Sequence, residues 1–300
     1  MVPRALRMAL RRRRAKYILA KCDSVWPIDE TAGGVPEDWQ GWPDGKEFAF
    51  VLTHDVESRK GVDQVRQLAE LETELGFRSS FNFIPEGEYQ VPNGLREWLV
   101  ENGFEVGVHD LHHDGHLYSS HKKFQKKAKR INYYLEEWRA VGFRSGFMLR
   151  QLDWLHDLDI SYDASTFDTD PFEPQPDGAK TIFPFIVSSG EGHSYVELPY
   201  TLVQDSTLFL TLKATSNEIW ERKLDWIGRK GGLALLNVHP DYVSFDQNMN
   251  SHVFPSELYA KFLRHVKREY TDRYWSPLPR ELADFTVAHQ SAPSLNVGEG

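Results

Sequence analysis

LTHDVE at residues 52–57 and VGVHDLHHDGHLY at residues 106–118 decide how this chain is read. Each joins an apolar run directly to acids or histidines. Phe48–Leu52 leads into His54, Asp55, Val56 and Glu57, and Phe104–Val108 leads into His109, with His113 four residues further on. Short apolar runs of this kind are how buried parallel strands are written, so the ionisable groups stand where a strand ends. A carboxylate and an H-x-x-x-H pair make three protein ligands. Three ligands with one position left for water is the composition of a catalytic zinc site, whereas structural zinc is enclosed by four. The motifs therefore predict a metal-dependent hydrolase.

Outward from these stretches the chain alternates. Strand-like runs fall at 47–53, 79–84, 104–108, 143–145, 160–162, 195–199 and 233–238, with helical patterns between them at 62–75, 94–102, 118–141, 151–158, 216–229 and 255–270. Such alternation leaves an open doubly wound sheet or a closed barrel. No G-x-G-x-x-G follows the first strand, which weakens the open dinucleotide-binding sheet. The polar groups also fall at many strand ends rather than at one switch point. Asp55 follows the first strand, His109 the third and His239 the last, while Arg144 lies on the fourth and Asp163 closes the fifth. That distribution is how a (β/α) barrel builds an active site. The fold class is α/β, with one barrel domain over 46–284, a basic N-terminal extension and irregular lead-in over 1–45, and a flexible tail over 285–300.

Composition excludes several classes. The 300 residues are 40% hydrophobic and 26% charged, as in an ordinary globular chain. The net charge of −9 hides an asymmetry: eight cations from Arg4 to Lys21 precede the first acid, Asp23, leaving −17 on the rest. A body so acidic repels nucleic-acid phosphates, so no nucleic-acid partner is expected. Cys22 is the only cysteine, which excludes a disulfide framework and a thiolate cluster and leaves imidazole and carboxylate to hold any metal. Charges interrupt the first 22 residues, so no secretory signal is read there, and no run approaches a membrane span; the expected location is the cytoplasm. The basic start is either a solvated or barrel-capping helix, or one that lies on an anionic membrane surface or a partner. Oligomeric state is not legible.

The ordered set LTHDVE, VGVHDLHHDG, GFRSGF and LLNVHPD resembles the polysaccharide deacetylases, carbohydrate esterase family 4, over approximately residues 46–240. The resemblance implies an irregular (β/α) barrel of about seven parallel strands, the NodB-homology fold. It implies Asp55 as general base, Glu57 with His109 and His113 as metal ligands, and His239 as general acid. Arg144 and Phe147 occupy the place of the family's Arg-x-Pro-aromatic motif, with Arg144 holding Asp55 and the Phe147 N–H as oxyanion donor. Two departures are visible: Glu57 stands for the usual Asp, and Gly146 for the proline, which predicts a looser loop. The fourth motif, an Asp with a Trp, is not recognisable. Asp163, Asp168 and Asp170 lie in its region as partners for His239.

The chemistry can be argued from residue types. A divalent ion activates water and polarises an acyl oxygen, a carboxylate takes the proton of the water, and a histidinium protonates the leaving group. Zinc suits the donor set, and cobalt, nickel or iron fit it as well. Each group also has an ordinary reading. His109 and His113 could form a solvated turn, Asp55 an Asx turn, Glu57 a surface acid, Arg144 a cross-barrel salt bridge, His239 a turn histidine. The resemblance implies as substrate an acetylated glycan or small molecule carrying N-acetyl or O-acetyl groups. Phe147, Trp154 and Phe172 are candidate sugar platforms, and the Asp168, Asp170 and Glu173 cluster favours a neutral or amino-bearing glycan. The alternatives are an allantoinase-like C–N hydrolase acting on a non-glycan, and an inactive barrel that binds glycan.

Overall fold

The structure, a computed structural model, describes residues 4–22, 25–189, 192–246 and 252–289. Its strands are β1 (Phe48–Val56), β2 (Ser80–Phe83), β3 (Glu105–His109), β4 (Gly142–Arg144), β5 (Tyr162–Asp163), β6 (Phe185–Ser188), β7 (Ser194–Glu197), β8 (Leu233–Asn237), β9 (Val243–Ser244), β10 (Phe254–Pro255) and β11 (Tyr274–Trp275). The helices are α1 (Arg4–Cys22), α2 (Arg59–Leu75), α3 (Asn93–Glu101), α4 (His121–Trp138), α5 (Glu218–Lys230), α6 (Ser256–Glu269) and α7 (Pro279–His289). The helical pattern at 151–158 is realised as a 3₁₀ segment, Leu152–Asp157.

Parallel pairing runs β8-β1-β2-β3-β4-β5-β7, seven strands in a curled sheet, with β6 antiparallel on the outer edge of β7 and β11 beside the start of β1. This is the irregular barrel expected from the motifs. Between β7 and β8 no ladder forms among the described residues. The seam is bridged instead by Thr201, whose N–H and that of Leu202 donate to Leu235 O, while its hydroxyl donates to Leu233 O and accepts from Leu235 N.

Strand alternation sorts side chains into two cores. Phe48, Phe50, Leu52 and Val56 of β1 meet the helices, together with Leu236 and Val238. Ala49 and Val51 point into the barrel with Leu233, Leu235, Tyr162 and Val196, and Leu282 and Ala283 of α7 plug it from below. The irregular lead-in is equally committed. Trp42 is buried, donates to Gly231 O at 2.7 Å and stacks on Phe285 of α7. The tail expected from residue 285 starts inside α7, and residues 290–300 lie outside the described residues.

The same alternation separates the neighbours of the first motif. β1 runs through Asp55 to Val56, beyond the expected end at Thr53, so Thr53 and Asp55 share the inward face. His54 points the other way and is a core residue. Its Nδ1 donates to Val238 O at 2.8 Å, and its Nε2 meets buried Glu72 of α2 at 2.8 Å. Glu72 also accepts from Ser79 and from the Tyr259 hydroxyl, which satisfies a carboxylate that burial would otherwise penalise.

Candidate active site

At the C-terminal mouth of the sheet, one ligand atom from each of Glu57, His109 and His113 lies within 4.8 Å of the others. His109 is the last residue of β3. Its Nδ1 lies 3.0 Å from Arg144 O, and because a carbonyl only accepts, the proton sits on Nδ1 and the Nε2 lone pair is free. Nε2 of His109 and of His113 are both buried with no hydrogen-bond partner. The Glu57 Oε1 to His113 Nε2 distance is 3.3 Å, but the geometry misses a hydrogen bond. Two orphaned imidazole nitrogens and a carboxylate facing one point, with the far nitrogen of one ring anchored to a carbonyl, fit a divalent cation.

Glu57 is held by contacts that sequence reading missed. The Tyr242 hydroxyl donates to its Oε2 at 2.7 Å, and Asp241 Oδ2 accepts from its backbone N–H at 2.9 Å. Asp241 also takes the Ser58 hydroxyl, and it fits only because Gly61 lies beneath: a Cβ there would stand 2.3 Å from its Oδ2. Burial raises the Glu57 pKa, but His113, His239 and Tyr242 outweigh it and hold the group down at about 2.

Asp55 sits at the cleft floor. Its Oδ2 accepts from Asn237 Nδ2 at 2.8 Å and its Oδ1 from Asn82 Nδ2 at 3.1 Å. Arg144 is wholly buried on β4, donating to Ala164 O at 2.7 Å and Thr53 Oγ1 at 2.9 Å, and it stands 3.5 Å from both Asp55 oxygens. The two asparagines, not the arginine, make the short bonds to the carboxylate. Burial pushes Asp55 upward, yet the Arg144 charge, His109, His239 and Asn82 together hold it well below the usual carboxylate range.

His239 lies two residues past β8, and its partner is Asp205, which was not among the aspartates expected. Nδ1 meets Asp205 Oδ1 at 2.7 Å and the His239 backbone N–H donates to Oδ2 at 2.9 Å. Burial alone would lower His239; Asp205, Glu57 and Asp55 raise it to about 10. The other aspartates are spent elsewhere. Asp163 takes Ser165, Asp168 pairs with buried Lys223 at 2.8 Å, and Asp170 accepts from Tyr200 OH. Asp205 ends the run LVQD at 202–205, the same apolar-run-into-acid signature as the first motif, and that signal could have found it.

Gly146 does not loosen its loop. A Cβ there would lie 2.6 Å from Asp110 Oδ2 and 2.8 Å from His113 Cδ2, so the residue is needed for close packing against a candidate ligand. The backbone then turns through positive φ at Phe147 and Met148. The Phe147 ring, 46% exposed, stacks on His113 with centroids 4.4 Å apart. Phe172 reaches the same cleft, whereas Trp154 packs on Tyr118 and Phe124. The cleft encloses about 530 Å³.

No family model and no curated protein sequence matches the chain. Solved structures do, among them proteins described as polysaccharide deacetylases, as a family 4 acetyl xylan esterase and as a family 4 pseudoenzyme. A protein of Mycobacterium smegmatis described as a candidate polysaccharide deacetylase superposes with a TM-score of 0.69 at 18% identity, covering 89% of this chain and 99% of its own. The Bacillus subtilis peptidoglycan deacetylase PdaC gives 0.48 at 12% identity over 82% of this chain and 94% of its own. A family 4 acetyl xylan esterase of Clostridium thermocellum, solved with cobalt, gives 0.47 at 11% over 83% and 100%. At such identities the likeness is one of fold, and this chain has the deacetylase fold. Among the described residues no helix is long and apolar enough to cross a membrane.

Proposed function

We propose that this protein is a metal-dependent deacetylase that removes N-acetyl or O-acetyl groups from a glycan or glycan precursor. The observation that carries the reading is the convergence of Glu57, His109 and His113 at the mouth of a deacetylase-type barrel, flanked by Asp55 on one side and a His239–Asp205 pair on the other. When bound, a divalent ion supplies Lewis acidity that activates water and polarises an acyl carbonyl. Asp55, ionised at neutral pH, takes the proton of the attacking water. The Asp205 charge stabilises His239 as an imidazolium protonated on both nitrogens, so that Nε2 gives its proton to the departing nitrogen or oxygen. The backbone N–H of Phe147 is assigned to the developing oxyanion, and its exposed ring to a sugar face.

The unrecognised fourth motif and the Gly146 departure both find a structural counterpart, which favours an active barrel over an inert one. His239 has an aspartate partner in Asp205, and Gly146 answers a packing demand. The test is direct. The purified protein should hold one divalent ion and release acetate from chitooligosaccharides, acetylated xylan or an aryl acetate, with ammonia release assayed alongside for the allantoinase-like alternative. Absence of bound metal, or activity untouched by Asp55→Asn or His113→Ala, would refute it.

A further inference from the structure

Helix α1 lies across the barrel mouth and forms one wall of the cleft. Leu10, Arg11, Arg14, Ala15 and Ile18, spaced as one helical face, line the same cavity as Asp55, Glu57, His109, His113 and His239. The helix is seated there: Ala15 is buried, Leu19 and Cys22 pack on the core, and Arg12 Nε donates to Leu210 O at 3.3 Å. Arg11 and Arg14 are nevertheless exposed, and among the described residues neither makes a direct ion pair; the Arg11 charge acts only at longer range on Asp170 and Glu173.

The acids nearby are already occupied. Asp55 is taken by two asparagines and Arg144, and Glu57 by Tyr242 and the histidines. Asp170 and Glu173 share the single hydroxyl of Tyr200, at 2.9 Å each, so one of the two acids must carry a proton for both contacts to be hydrogen bonds. The cluster expected to favour an amino-bearing glycan is thus largely internal: Asp168 is neutralised by Lys223 and only Glu173 reaches the cleft. Two guanidinium groups with open donors face a cavity that would also hold a divalent cation, in a chain whose overall charge is −9. Such groups bind carboxylate or phosphate oxygens through paired hydrogen bonds.

We propose that Arg11 and Arg14 select an anionic substrate, binding a carboxylate or phosphate on the glycan whose acyl group lies over Glu57, His109 and His113. This inference rests on the cleft being a glycan site, as proposed above, and is tested by binding rather than by turnover alone.

The experiment uses the full chain loaded with zinc and two matched ligand pairs. Di-N-acetylchitobiose is compared with a disaccharide of glucuronic acid and N-acetylglucosamine, and N-acetylglucosamine with its 1-phosphate, by calorimetry. In at least one pair the anionic member should bind about tenfold or more tightly, the pair identifying whether carboxylate or phosphate is preferred. Arg11→Ala/Arg14→Ala should abolish that preference and leave the neutral ligands unchanged. Arg13→Ala, exposed on the same helix but outside the cavity, should retain it. Equal binding within both pairs overturns the inference, as does a preference that survives the double substitution or vanishes equally in Arg13→Ala. Failure of all four ligands to bind, with acetate still released from an aryl acetate, overturns the inference and spares the hydrolase. A preference intact with no acetate released from any ligand supports the inference and removes the deacetylase reading.

Discussion

Replacing Tyr242 by Phe isolates the contact that holds Glu57, the proposed metal ligand, in place. The phenol donates to Glu57 Oε2 at 2.7 Å, leaving Oε1 turned toward His113 and His239, at 3.3 and 3.8 Å. Glutamate has one more rotatable bond than aspartate, and without that donor the carboxylate can swing about it. Phe keeps the ring that lies 5.0 Å from His239, so the packing is preserved and only the hydroxyl is lost. A hydrogen bond to a charged group is worth about 1.5–3 kcal/mol, and loss of such a contact behind a metal ligand weakens binding by about tenfold to a hundredfold. The assay is competition for zinc against a chromophoric chelator, with Glu57→Gln as the comparison, which should lose more. An affinity unchanged in Tyr242→Phe, with Glu57→Gln weakened, would refute the account of how Glu57 is held.

Other expectations follow from the same geometry. Asp205→Asn removes the charge that raises His239, so the alkaline limb of the pH–rate profile should move to lower pH and kcat fall by about 10²–10⁴ while KM changes little; an unmoved limb argues against His239 as the acid. Gly146→Ala forces a methyl against Asp110 and His113, costing about 1–3 kcal/mol of stability in a denaturant titration and weakening zinc binding. Burial, then Asp170, push Glu173 up to about 8 from 4.5. An acid whose folded-state pKa is raised binds more protons folded than unfolded, so its contribution to stability falls as pH rises from about 4.5 to about 8. Glu173→Gln should flatten that part of the thermal-stability profile, and identical wild-type and variant profiles would show that Glu173 is not the group responsible.

What the sequence made legible was local. Phe48–Leu52 and Phe104–Val108 could be read because both faces of an inner parallel strand are buried and leave an unbroken apolar run. His109 and His113 carry their spacing on one segment. The groups that hold the site are of another kind. Asn82 and Asn237 are single polar residues inside strands, indistinguishable in sequence from tolerated ones until the sheet curls and both meet Asp55. Tyr242 and Asp241 reach Glu57 across more than 180 residues of chain. The lead-in is rich in Pro and Gly and lacks periodicity, a composition that says nothing of Trp42 packing against Gly231 and α7. Nor did the basic composition of α1 reveal where it docks, because that depends on Leu210 and the core beneath it.

The seam between β7 and β8 bears on how activity would be lost on heating. Asp205 arrives from the β7 side and His239 from the β8 side, so the pair proposed to donate the proton straddles the stretch that Thr201 stitches, where no ladder forms among the described residues. Partial openings begin where backbone pairing is sparse. An excursion of a few ångströms there would part imidazole from carboxylate while the three histidine and glutamate donors, carried by β1 and the β3 exit, stayed together. Inactivation should then precede both metal release and global melting, with exchange of the Thr201 and Leu202 amides as its reporter.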